Sequence, residues 1–139
     1  MNDKEQVIKH LEITQGVINR LANNSFLIKG WSMTILAAAI LFISRSSNHS
    51  DYLILLFIIP VAGFWILDGY FLWQERLFRG IYEDVRLKTT TDFKMDISSQ
   101  LRKPKNQWHH AIFSVTLNIF YSTELFFLVI AFISLKCSL

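Results

Sequence analysis

Residues 26–44 (FLIKGWSMTILAAAILFIS), 52–74 (YLILLFIIPVAGFWILDGYFLWQ) and 111–135 (AIFSVTLNIFYSTELFFLVIAFISL) are three apolar runs, each with a single charged residue inside it. Crossing the hydrocarbon layer as a helix takes about twenty mainly apolar residues, and each run meets that length. A soluble protein built from three helices with almost no polar face would have nothing to show to water. The sequence therefore predicts an all-α integral membrane protein with three transmembrane helices and no soluble catalytic domain. With 139 residues, 52% of them hydrophobic, the chain has room for one domain at most, so function must come from the bundle and its short flanks.

Charge orients the spans. Lys4, Lys9 and Arg20 precede the first run, and Arg76, Arg79, Arg86, Lys88, Lys94, Arg102, Lys103 and Lys105 fill residues 75–110. The connection between the first two runs carries Arg45 alone, and the tail carries Lys136 alone. Basic residues collect on the cytoplasmic side, which predicts a multi-pass protein of a bacterial inner (plasma) membrane, N-terminus cytoplasmic and C-terminus outside. The net charge of +3 then belongs to lipid contact and orientation rather than to nucleic acid, because no basic stripe interleaves with exposed aromatics. One cysteine, Cys137, excludes an internal disulfide or a Cys-based metal site.

Residues 1–24 read as a cytoplasmic amphipathic helix. Val7, Leu11, Thr14, Ile18 and Leu21 recur at spacings of four and three, with Lys9, Glu12, Asn19 and Asn23 opposite. Such a stripe lies on the membrane, packs on another cytoplasmic helix, or pairs with copies of itself; Val7, Leu11, Ile18 and Leu21 are the self-association candidates. The second run continues past the membrane as WQERLFRGIYEDVRLK, where Arg76, Arg79 and Arg86 are candidate cytoplasmic contacts. KTTTDFKMDISSQLRKPKNQ reads as an irregular connection, and Trp108, His109 and His110 as the interfacial entry to the third span.

Ionisable residues inside spans are costly and therefore informative. Glu124 is either a hydrogen-bonded contact between helices, near Asn118, Tyr121 or Thr123, or a carboxylate on an aqueous path. Lys29 and Asp68 fall at similar depth on antiparallel spans and are expected to neutralise each other. Gly30, Ala37, Ala38, Ala39, Ala62, Gly63 and Gly69 would let helices approach closely. No cofactor or metal is expected: adjacent His109 and His110 project to different sides, with no carboxylate at i+3 or i+4. Catalytic motifs for phosphate loops, nucleophile elbows and zinc proteases are missing from the sequence.

The runs INRLANNSFLIKGWSMTILAA, FWILDGYFLWQERLFRGIYEDVR and DFKMD resemble a group of small bacterial three-span membrane proteins, themselves similar to the multi-span membrane effectors of anti-phage defence. The entry WHHAIFSVTLNIFY departs from the Arg-containing entry of that group. The resemblance implies a homo-oligomeric effector that forms a pore or perturbs the inner membrane, triggered by a cytoplasmic protein or a nucleotide signal. It carries over no catalytic residues. The alternative is a non-conducting anchor or accessory subunit that recruits or regulates a cytoplasmic partner through residues 76–107.

Overall fold

The computed structural model of the protein describes residues 2–45 and 52–137. The connection RSSNHSD, expected outside the membrane, lies almost wholly beyond the described residues.

Three long helices carry the architecture: α1 (Asp3–Arg45), α2 (Tyr52–Arg86) and α5 (Val115–Cys137). All three are long and apolar enough to cross a membrane, and no strand occurs among the described residues. At 1.5 Å per residue, α1 is roughly 65 Å long and α2 roughly 52 Å, against a hydrocarbon layer of about 30 Å. Both therefore overrun a span, and the surplus lies at the same end, where α1 begins and α2 finishes. The 1–24 segment is not a separate helix. It runs without interruption into the first span, because nothing between Leu21 and Lys29 breaks a helix.

The start of α1 is capped by its own sequence. Asn2 N–H donates to the Glu5 carboxylate at 3.0 Å, the reciprocal half of a capping box, and Asp3 and Glu5 complement the positive helix end. α2 passes through Pro60, which cannot donate to the carbonyl of Leu56.

A single seam runs along α1. Val7, His10, Thr14, Ile18, Ser25, Ile28, Ser32, Leu36 and Ala39 are buried, and half-buried Leu21 bridges the one wide gap. This spacing of threes and fours keeps one face against neighbouring helices. At the overrunning end Val7 packs with Ile81 and Val85 of α2, with Leu11 and Phe78 alongside. Of the three roles open to the stripe, packing on another helix is the one that Val7 and Leu11 take here, and pairing between copies through them would require their release from α2. At the far end Leu36, Ala39 and Leu128 form a second cluster.

Residues 87–97 cross back over the stalk, and α3 (Ser98–Leu101) and a 3-10 turn at Pro104–Asn106 fold against α2. The connection is thus only partly irregular. Asp96 accepts from Ser98 N–H at 2.8 Å at the start of α3, and the Ser98 hydroxyl together with that N–H holds its carboxyl below the usual range.

The third membrane-length helix begins at Val115 rather than Ala111. Trp108–Ile112 form a separate short helix, α4, with Ala111 and Ile112 buried. A Cβ at Gly69 of α2 would meet Ile112 Cα at 3.0 Å, so only glycine lets α4 approach this closely. Trp65 Nε1 donates to the Ile112 carbonyl at 2.9 Å and holds the end of α4 in place. Gly30 and Gly63 have open space where a Cβ would stand, and Ala37, Ala38 and Ala62 are exposed. Of the expected small-residue contacts, Gly69 and the fully buried Ala39 are the ones at a helix interface.

Candidate functional site

Ser25, Lys29, Asp68 and Tyr121 meet at one place between α1, α2 and α5. Asp68 is completely buried and both of its carboxylate oxygens are engaged. Lys29 Nζ lies 2.5 Å from Oδ2, Tyr121 Oη donates to Oδ2 at 3.2 Å, and Ser25 Oγ donates to Oδ1. Lys29 also donates to Ser25 Oγ at 2.8 Å and stands 5.9 Å from the centre of the Phe120 ring. Tyr121 is fixed from its other side by Trp65, stacked at 5.8 Å between ring centres. Three helices thus meet on one carboxylate.

Two turns farther along α1, Ser32 Oγ donates to Glu124 Oε2 at 2.6 Å. Glu124 is 1% exposed, and its Oε1 has no hydrogen-bond partner. An apolar groove of about 560 Å³ opens between α1 and α5 at this level, with Lys29, Thr116, Phe120, Thr123, Glu124 and Phe127 among its walls. Asn118 and Thr123 do not join Glu124. Asn118 Nδ2 donates to the Phe113 carbonyl at 3.3 Å across the α4–α5 turn, and Thr123 Oγ1 bonds its own backbone at Ile119.

Chemically the cluster is a neutralising one. A carboxylate removed from water needs a cation and donors for its remaining lone pairs, or it costs several kcal/mol. Asp68 receives all of them. The faces of α1, α2 and α5 turned away from the cluster carry Phe26, Trp31, Ile59, Ile66, Phe126 and Ile133, all exposed and suited to acyl chains.

The overrunning end holds a second set of polar contacts. Trp73 Nε1 donates to the Asn106 carbonyl at 2.7 Å, Asn106 Nδ2 donates to the Gln100 carbonyl at 3.1 Å, and Gln100 Nε2 donates to Asp84. Arg76 Nη1 donates to the His110 carbonyl at 2.9 Å. Arg79 pairs with Glu75 at 2.7 Å and Arg86 with Glu83 at 2.7 Å. Farther out, buried His10 shares a hydrogen bond of 2.6 Å with Thr91 Oγ1 and lies against the Phe93 ring at 5.6 Å. Phe93 adopts φ 58°, a left-handed conformation uncommon for an aromatic residue, and its ring packing on His10 accompanies it. Burial, with Lys88 adding to it and Asp92 opposing, holds the His10 imidazole below its ordinary value. Among the described residues no group of three or more His, Cys, Asp or Glu side chains could hold a metal.

Sequence reasoning named Lys29, Asp68 and Glu124 but missed Ser25 and Ser32, which donate to two of them. The signal was present: the series Val7, Leu11, Thr14, Ile18, Leu21 continues through 25, 28 and 32 at the same spacing. His10 falls in the same series, three residues after Val7 and four before Thr14, whereas Gln100 had no comparable signal.

Compared with protein families, with curated proteins and with solved structures, the chain finds no match in any of the three.

Proposed function

We propose that this chain is an integral protein of the bacterial inner membrane, with its overrunning helical end in the cytoplasm, and that it acts as a non-conducting anchor that presents this end to a cytoplasmic partner protein. The observation that carries the reading is the fate of the in-span charges. Lys29, Asp68 and Glu124 turn inward and contact residues of the same chain, while the outward faces are apolar. The polar surface left for recognition lies at the overrunning end, where the α2 extension and the folded-back segment, residues 76–107, join the exposed face of α1 that carries Lys9 and Glu12. The test is ion flux through liposomes containing purified protein. Wild type and Glu124→Gln should both leak at the rate of protein-free vesicles, whereas flux that Glu124→Gln alters would refute the anchor.

One observation favours a second reading, the homo-oligomeric effector that forms a pore or perturbs the membrane in anti-phage defence. Glu124 Oε1 has no hydrogen-bond partner among the described residues, and Glu124 lines the groove between α1 and α5 with Lys29, Thr116 and Thr123. Copies meeting at that groove would place polar groups at their junction, as conduction requires. The same flux measurement decides between the two.

A further inference from the structure

We propose that the pocket between α2 and the folded-back segment binds the phosphate group of a phosphate ester. The pocket has a volume of about 440 Å³ and brings Arg76, Arg79, Lys103 and Lys105 together over Gly80 and Gln100. Two carboxylates share its wall, and both are engaged: Glu83 pairs with Arg86, and Asp84 accepts from Gln100. Lys105 makes no ion pair among the described residues, and Lys103 reaches Asp84 only at 3.8 Å. Arg76 spends one of its five donors on the His110 carbonyl and keeps the others. Arg79 is held by Glu75, which leaves Arg76, Lys103 and Lys105 against the engaged Glu83 and Asp84, a fork-and-point-charge arrangement that suits phosphate oxygens.

A second observation shows how the pocket wall is built. Gln100 is fully buried there, its Nε2 donating to Asp84 and its Oε1 turned onto Gly80. Gly80 makes this placement possible, because a Cβ there would collide with the Gln100 amide. Asn106 and Trp73 hold the segment in position through the Gln100 and Asn106 carbonyls, so the wall is fixed rather than a loose run of lysines.

The same chemistry has two sources, a phospholipid headgroup and a soluble phosphate ester. Depth favours the lipid. Arg76 lies three residues past Trp73, roughly 4.5 Å along the axis and within the headgroup layer, while Arg79, roughly 9 Å along, lies just beyond it. The headgroup layer begins where the aromatic belt ends and is about 5–7 Å thick. This placement rests on the membrane-spanning part of the reading above and is independent of whether the protein conducts.

The experiment compares thermal unfolding of the whole protein in vesicles of phosphatidylcholine alone and of phosphatidylcholine with phosphatidylglycerol. A parallel arm adds glycerol 3-phosphate to protein in neutral detergent. Two surface variants are run beside wild type: Lys103→Gln/Lys105→Gln in the pocket, and Lys94→Gln/Arg102→Gln, which removes the same charge outside it. Stabilisation by phosphatidylglycerol that the pocket variant loses and the control keeps supports the site with a lipid occupant. Affinity should fall about fivefold per lysine, roughly 25-fold for the pair. Stabilisation by glycerol 3-phosphate with the same variant pattern supports the site with a soluble occupant. Equal loss in both variants, or no stabilisation by either probe, overturns the proposal and leaves the flux result untouched.

Discussion

Removing the ammonium of Lys29 should be the most damaging single change in the bundle. In Lys29→Met the apolar volume of the side chain is kept, but Asp68 remains completely buried with only the neutral donors Ser25 and Tyr121. Breaking a buried pair from one side typically costs about 3–5 kcal/mol, because the surviving charge stays desolvated. The reverse change is milder. Lys29 is 22% exposed on its side chain, so in Asp68→Asn the ammonium can bend toward water along its flexible stem. Asn also keeps an acceptor for one of the hydroxyls, and the loss should be about 1–2 kcal/mol. The double variant Lys29→Met/Asp68→Asn contains no buried charge at this level and should be more stable than Lys29→Met alone by about 2 kcal/mol or more. Equilibrium unfolding in one detergent, followed by tryptophan fluorescence, reads all three, since Trp65 stacks on Tyr121 beside the cluster. Additive losses in the double variant, or Asp68→Asn more damaging than Lys29→Met, would refute the claim that Asp68 depends on Lys29.

Two further outcomes are expected. His10 is held below its ordinary value of 6.5, so it folds neutral; its contribution is complete above pH 6.5 and is lost as pH falls below it, and protease cleavage within residues 87–97 should increase at pH 5.5 in wild type but not in His10→Gln. The proposed orientation places the C-terminal end outside, so a membrane-impermeant thiol reagent should label Cys137 in intact cells; labelling only after lysis would invert the topology.

The long helices were legible because their signals are local. Apolar length marks each membrane-length helix, and the stripe from Val7 to Leu21 marks the face of α1 that packs. What the sequence hid was set by contacts distant in the chain. The break at Phe113 that separates α4 from α5 exists because Gly69 and Trp65, more than forty residues earlier, dock Ile112. The fold-back of Gln100 over Gly80 likewise has no periodic signature. Ser25 and Ser32 were an intermediate case. A seam between packed helices obeys the same spacing whether water or lipid lies outside it, so the boundary drawn at residue 24 by composition had no counterpart in packing.

That continuity also explains why the polar cluster sits in the middle of the seam. Along α1 the buried face is mainly apolar from Val7 to Leu21, polar from Ser25 to Ser32, and apolar again at Leu36 and Ala39. Two antiparallel helices with wholly apolar seams would tolerate sliding by a heptad, because Leu, Ile, Val and Ala replace one another at little cost. A slide of one heptad here would bring Asp68 opposite Ile18 and Ala22 in one direction, or Ser32 and Leu36 in the other. Both positions lack a cation. The carboxylate, buried and unpaired, would then cost more than any apolar repacking returns. Lys29, Ser25 and Asp68 therefore fix the register of α1 on α2, much as a single polar residue fixes a coiled coil. Through that register they also set which residues of the overrunning end face His10 and which face Gly80.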